Sequence, residues 1–185
     1  MNARLPTTQA ETFVPGSDPA ALIDHILERY HAVHRTQLPE LIRMARRVEA
    51  VHREHPQVPA GLADVLDAME QDLLVHMQKE EAILFPLLKA GGNPFVGQPI
   101  SMMRAEHIEH GATLDRLAGL TNNATPPQGA CNTWRALYAG IAQLSEDLAH
   151  HIHLENNVLF AQFEAPQVVA KSTPSHSPCC GSCGG

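Results

Sequence analysis

The stretches HMQKEEAILFP, residues 76–86, and HIHLENNVLF, residues 151–160, decide how this chain is read. Each places a histidine and, four residues on, a glutamate on a helical stripe that is otherwise apolar. The stripe holding the first runs Leu62, Leu66, Met69, Leu73, His76, Glu80, Ile83 and Leu87. The stripe holding the second runs Trp134, Leu137, Ile141, Leu144, Leu148, His151, Glu155 and Val158. Residues four apart on a helix lie within about 40° of each other, one turn up, so each pair faces one way. A buried carboxylate is costly unless it is paired or bound to metal. One His-x-x-x-Glu pair reads most simply as a surface contact. Two such pairs, both at core positions, share the cost of burial by binding metal together.

The same periodicity defines four helical segments and leaves no strand signal. The first opens at Ser17-Asp18-Pro19, a cap followed by a first-turn proline, and runs to about His55, with a kink expected at Pro39. The second runs from near Pro59 to Gly91-Gly92, with a bend expected at Pro86. The third covers about Gln98 to Leu120 and gives way to the loop TNNATPPQG; the fourth covers about Asn132 to Glu164. Four long helices joined by short loops describe an all-α, up-down-up-down four-helix bundle. The chain therefore divides into an N-terminal extension (1–17), a helical domain (18–165) and a flexible tail (166–185) bearing Cys179, Cys180 and Cys183 as CCxxC.

The third stripe, Ile100, Met103, His107, His110, Leu114 and Leu117, is also broken by histidine. The first offers His31 and His34 beside Ile23, Leu27, Tyr30 and Leu38, and periodicity does not choose between them. Each helix thus turns at least one histidine inward, and two add a glutamate. Imidazole with carboxylate suits iron, manganese or zinc, and paired carboxylates favour two ions over one. A single zinc would leave buried charge unexplained.

Composition excludes other classes. Of 185 residues, 44% are hydrophobic and 18% charged, with net charge −7 and no basic stripe, so nucleic acid is not an expected partner. No apolar run reaches the roughly 20 residues that span a bilayer, and the N-terminus lacks the apolar core of a signal peptide. Three of the four cysteines crowd the last residues, where they cannot staple a core. The cytoplasm is the expected compartment.

RYHAVHRTQLPEL (29–41), HMQKEEAILFP (76–86), AEHIEHG (105–111), TNNATPP (121–127) and HIHLENNVLF (151–160) together resemble the hemerythrin-like domain of the iron-sulfur cluster repair di-iron proteins, the bacterial repair-of-iron-centres family induced by nitrosative and oxidative stress. The resemblance covers residues 20–164. It implies a metal-binding site for two non-haem iron ions, oxo- or hydroxo-bridged, with His31, His76, His107 and His151 as terminal ligands and Glu80 and Glu155 as bridges. Oxygen-carrying hemerythrins place two histidines four apart on the third helix; here position 111 is glycine, which leaves a coordination position open. Family members usually begin with a small domain carrying a cysteine pair, which is not expected within these 185 residues. The tail cysteines stand either as a substitute iron or redox handle or as incidental thiols.

The function implied is a stress response: repair of iron-sulfur clusters damaged by nitric oxide or peroxide, with damaged iron-sulfur proteins as clients. Capture or sensing of nitric oxide or another diatomic, and enzymatic reduction of nitric oxide, are the alternatives; oxygen storage is weakened by Gly111. Around the six ligands, His110 is expected in a supporting role, with an extra or exchangeable ligand as the alternative, and His150 and His153 are expected to be solvated or supporting. Glu81 is expected at the surface, where its removal would do little. Asp72 and Glu106 fit either an exit route for iron or a solvated face, and Cys131 packs.

Overall fold

Asp18 opens the first long helix by accepting a hydrogen bond from the Ala21 amide at 3.0 Å, and Pro19 sits in the first turn, where a missing N–H is harmless. The structure, a computed structural model, describes residues 13–164; the CCxxC tail and most of the expected N-terminal extension lie outside them. Helix α1 spans 19–51, α2 spans 62–89, α3 is Gly97–Thr121 and α4 spans 132–162, and no strand occurs among the described residues. Helix α1 packs on α2 and α4, and α3 packs on the same two, so the helices follow one another round an up-down-up-down bundle.

The ends follow from local chemistry. Helix α1 stops at Val51, a turn short of the expected His55, and runs on through Pro39. Pro39 is exposed, so water can take the carbonyl that its ring nitrogen cannot serve. Gly91 and Gly92, at φ 93° and 75°, close α2, and Asn122 at φ 50° closes α3. Ala124 also holds a positive φ of 54°, fixed by its amide donating to Thr121 Oγ1 at 3.0 Å. Gly140 brings α4 against α1, for a Cβ there would lie 2.6 Å from Leu41 Cδ2.

Three of the four helices contain a π-turn. In these the amide of Ala32 donates to the Leu27 carbonyl, that of Phe85 to Glu80 and that of Phe160 to Glu155, each five residues back. Leu27–His31, Glu80–Leu84 and Leu154–Leu159 are the segments concerned. Each admits one extra residue and rotates everything after it. The expected α2 stripe is corrected on this account. Ile83 is 63% exposed, whereas Leu84 and Leu88 are buried in the places expected of Ile83 and Leu87. The widened turn also comes just ahead of Pro86, where a regular ladder would break.

The core is divided. One apolar cluster gathers Leu38, Leu41, Leu66, Met69, Trp134 and Leu137 with their neighbours; the other gathers Leu22, Ile26, Phe85, Ile100, Leu159 and Phe160 with theirs. Between them lies a buried polar layer: His31, His34, His76, Glu80, His107, His110, His151 and Glu155.

Candidate metal centre

Four histidines meet in this layer as two pairs. His31 Nε2 lies 3.2 Å from His151 Nε2, and His76 Nε2 lies 3.1 Å from His107 Nε2. Each glutamate reaches from one pair to the other. Glu80 places Oε2 3.4 Å from His31 Nε2 and Oε1 3.4 Å from His76 Nε2. Glu155 places Oε1 3.0 Å from His151 Nε2 and Oε2 3.0 Å from His107 Nε2. Two quartets result, His31–Glu80–His151–Glu155 and His76–Glu80–His107–Glu155. Within each, four ligand atoms lie within 4.8 Å of one another. The six residues singled out in the sequence are therefore brought together, with both glutamates common to both quartets.

Helix geometry explains the arrangement. His76 and Glu80, like His151 and Glu155, are separated by one regular turn, and the π-turn begins at or next to the glutamate. It then brings Phe85 and Phe160 under the site, where Phe85 stacks on His31 and Phe160 on His107 at centroid distances of 5.6 and 6.1 Å. Read this way, 76–85 and 151–160 are one pattern used twice, H-x-x-x-E-x-x-[IV]-L-F.

The outer nitrogens are held as well. His31 Nδ1 lies 2.7 Å from Glu81 Oε1, His76 Nδ1 lies 2.8 Å from Glu106 Oε2, and His107 Nδ1 lies 3.0 Å from Asn156 Oδ1. A carboxylate or amide oxygen only accepts, so these three Nδ1 atoms carry the proton and each Nε2 turns a bare lone pair inward. Glu81 is corrected from its expected surface role: it is a third exposed and joins His31 to Arg35, which it meets at 2.8 Å. Glu106 does the same for His76, with Lys79 as its second partner. Partial burial pushes both carboxyl groups up, yet hydrogen bonds from histidine and from Arg35 or Lys79 hold them below the usual range. Asn156 was not singled out in the sequence; it is the residue after Glu155, turned toward α3 by the π-turn.

Charge and burial test whether a metal pair fits. Glu80 and Glu155 are wholly buried, and neither oxygen of Glu80 has a hydrogen-bond partner. Burial and the neighbouring Glu155 push Glu80 well up, toward its neutral form. Burial acts on Glu155 too, but His151 and His107 outweigh it and hold Glu155 well down. Burial lowers His31 to about 4 and His76 below its ordinary value. Nε2 atoms of His31, His76, His107 and His151 converging on one space, around a carboxyl without a partner, gain most from cations placed between them. The donor set, two imidazoles and two shared carboxylates per position, suits a di-iron centre.

The remaining candidates fall into place around it. His34 and His110 are buried but belong to neither quartet; both nitrogens of His34 and Nε2 of His110 lack partners. Their rings stand 5.6 Å from His151 and 4.9 Å from His76. His110 also lines a cleft of about 240 Å³ with Asp72, Lys79, Glu106 and Glu109, and its ring lies between that cleft and His76. His150 and His153 are exposed; the first meets Tyr30 and the second Asn157. Cys131 is half-buried, 3.2 Å from His52 Nε2 and packed against the first apolar cluster. No helix among the described residues is long and apolar enough to cross a membrane.

The chain is 54% identical over 139 residues to the iron-sulfur cluster repair protein YtfE of Dickeya chrysanthemi (strain Ech1591), covering 75% of this chain and 63% of that protein. It is 55% identical over 139 residues to the YtfE of Yersinia pestis (strain Pestoides F), with the same coverage. With that of Escherichia coli O157:H7 it shares 53% over 141 residues, 76% of this chain and 64% of the relative. The chain thus spans somewhat under two thirds of the length of these relatives. The hemerythrin HHE cation binding domain matches residues 22–163, from the start of α1 past the end of α4 and through both His-x-x-x-Glu pairs, and the chain belongs to that family.

Proposed function

We propose that His31, His76, His107 and His151, with Glu80 and Glu155 as bridges, hold two non-haem iron ions sharing an oxo or hydroxo group. We propose further that this centre serves the repair of iron-sulfur clusters damaged by nitrosative or oxidative stress. The observation that carries the reading is the pair of glutamates, each spanning the same two histidine pairs. The repair role draws on the relatives named iron-sulfur cluster repair proteins. Damaged iron-sulfur proteins are then the clients, and the cytoplasm, where such clients are assembled and used, is the compartment.

The protein's own groups perform defined tasks. Glu81, Glu106 and Asn156 fix the imidazole tautomers of His31, His76 and His107, so that these three turn a bare Nε2 inward. The apolar clusters above and below exclude bulk water. Bound iron would supply one-electron redox change and a coordination position for a small ligand. Each quartet offers four donors, fewer than the roughly six of an octahedral ion. That shortfall supports a second reading, in which nitric oxide or another diatomic is captured, sensed or reduced at the same centre.

The test is metal content per chain after anaerobic purification, followed by mixing with a nitric-oxide-inactivated [4Fe–4S] dehydratase. Two irons per chain and recovery of the dehydratase support repair. A stable nitrosyl adduct without recovery supports capture, and catalytic nitrous oxide supports reduction. One zinc, or no metal, overturns the reading.

A further inference from the structure

Tyr30 is a buried phenol set between a ligand histidine and the surface. Its ring lies 6° from parallel to His151, with centroids 5.3 Å apart, and only 2% of the residue is exposed. Its hydroxyl is 2.8 Å from Nδ1 of His150, an exposed residue next to His151 in the chain. Arg29 stands 5.0 Å from the ring centre, but Asp147 takes its two amino groups at 2.6 and 3.2 Å, so the charge over the ring is compensated. A stacked path to a ligand imidazole, with a proton acceptor already bonded to the phenol oxygen, is the arrangement that a one-electron oxidation of tyrosine needs. The ligand set leaves this pair without a role.

We propose that Tyr30 is a redox-active tyrosine that passes an electron through His151 to the metal centre while its phenolic proton moves to His150. The proposal rests on the di-iron reading above. Peroxide is the oxidant: its reduction to two waters consumes two electrons and two protons. When only one iron is ferrous, that iron supplies one electron and becomes ferric. Tyr30 supplies the other. Its O–H bond breaks, the proton stays on His150 Nδ1, the phenoxyl radical remains, and solvent supplies the two protons that enter water. Tyr30 would thereby keep the second electron from being taken out of the ligand set itself.

The chain has two tyrosines, and the other, Tyr138, lies in the far cluster beside Trp134, so it serves as an internal control. The experiment takes the full iron-loaded chain, half-reduced, mixes it with hydrogen peroxide, freezes it rapidly and records its EPR spectrum. We expect an organic radical whose signal narrows when the protein carries ring-deuterated tyrosine. It should persist in Tyr138→Phe and vanish in Tyr30→Phe, whose iron content and helicity should match the parent because the stacked ring is kept. His150→Phe should shorten the radical's lifetime several-fold at unchanged iron content. No radical from a chain holding two irons, or a radical undiminished in Tyr30→Phe, overturns the proposal and leaves the di-iron reading standing. A chain that holds no iron overturns both.

Discussion

Glu81 Oε1 lies 2.7 Å from Nδ1 of His31, joining α2 to α1 from the position directly after the shared Glu80. The bond sets which nitrogen of His31 is bare. It also makes the second glutamate of the KEE run part of the centre's support, with Arg35 holding it from the far side.

Glu81→Ala should therefore weaken iron retention by about 10- to 100-fold, the usual cost of losing a partner behind a ligand histidine. Glu81→Gln, whose amide oxygen still accepts, should lose less. Competition with a ferrous chelator measures both. An unchanged affinity in Glu81→Ala would return that residue to the surface role expected from the sequence. Glu106→Ala should behave alike at His76.

Removing a shared carboxylate separates metal binding from folding. Glu80→Gln should fail to hold two irons. Its metal-free form should nevertheless be at least as stable as the metal-free parent, since a buried carboxyl without a partner is exchanged for a neutral amide. Chelating iron from the parent should lower its melting temperature; the variant should show no such drop. Equal metal-dependent stabilisation in both would contradict the assignment of Glu80.

Acid should destabilise the metal-free chain. Burial lowers His34 to about 3 and His31 and His110 to about 4, from an ordinary 6.5. The unfolded chain therefore takes up protons that the folded one refuses. The associated stability is complete above about pH 6.5 and is lost as pH falls toward 4, at about 2 kcal/mol per histidine by pH 5. Glu80, pushed well up by burial and by Glu155, works the other way and offsets part of this loss. His34→Phe should make the dependence of the urea midpoint on pH shallower by about one proton. An identical slope would mean that His34 is not buried as a neutral ring.

The π-turn in α2 has a direct packing test. Leu84→Ala should cost about 2–5 kcal/mol, as for a buried leucine, while Ile83→Ala should stay within roughly 0.5 kcal/mol. Denaturant titration of the two variants distinguishes a π-turn from the regular helix, which would reverse the order.

Much of this was readable beforehand because the decisive spacings lie ahead of the π-turns. His76 to Glu80 and His151 to Glu155 each cross one ordinary turn, so helical periodicity holds there. It fails immediately afterwards, at Ile83, because no residue type announces an i to i+5 hydrogen bond. His31 and His34 could be separated by the family resemblance but not by period; in the structure both are buried at 0% exposure, and the convergence of α1 on α2 and α4 puts His31 in a quartet and leaves His34 out. The roles of Glu81 and Asn156 depend on which neighbouring helix lies opposite and at what height. A single helix's pattern does not contain that relation. The cap at Asp18 and the glycines after α2, by contrast, act through their own few residues and were legible at once.

The π-turns bear on anyone who would transplant this centre. A designer copying the six proposed ligands onto four ideal helices would inherit the two His-x-x-x-Glu spacings intact. The aromatic floor, Phe85 and Phe160, would then point about 100° away from its place, and His31 would leave its pocket. The portable unit is thus longer than its ligands: a glutamate together with one surplus residue and the phenylalanine five positions on. Grafts that keep the surplus residue should hold the geometry; grafts that tidy it away should carry every ligand and bind poorly.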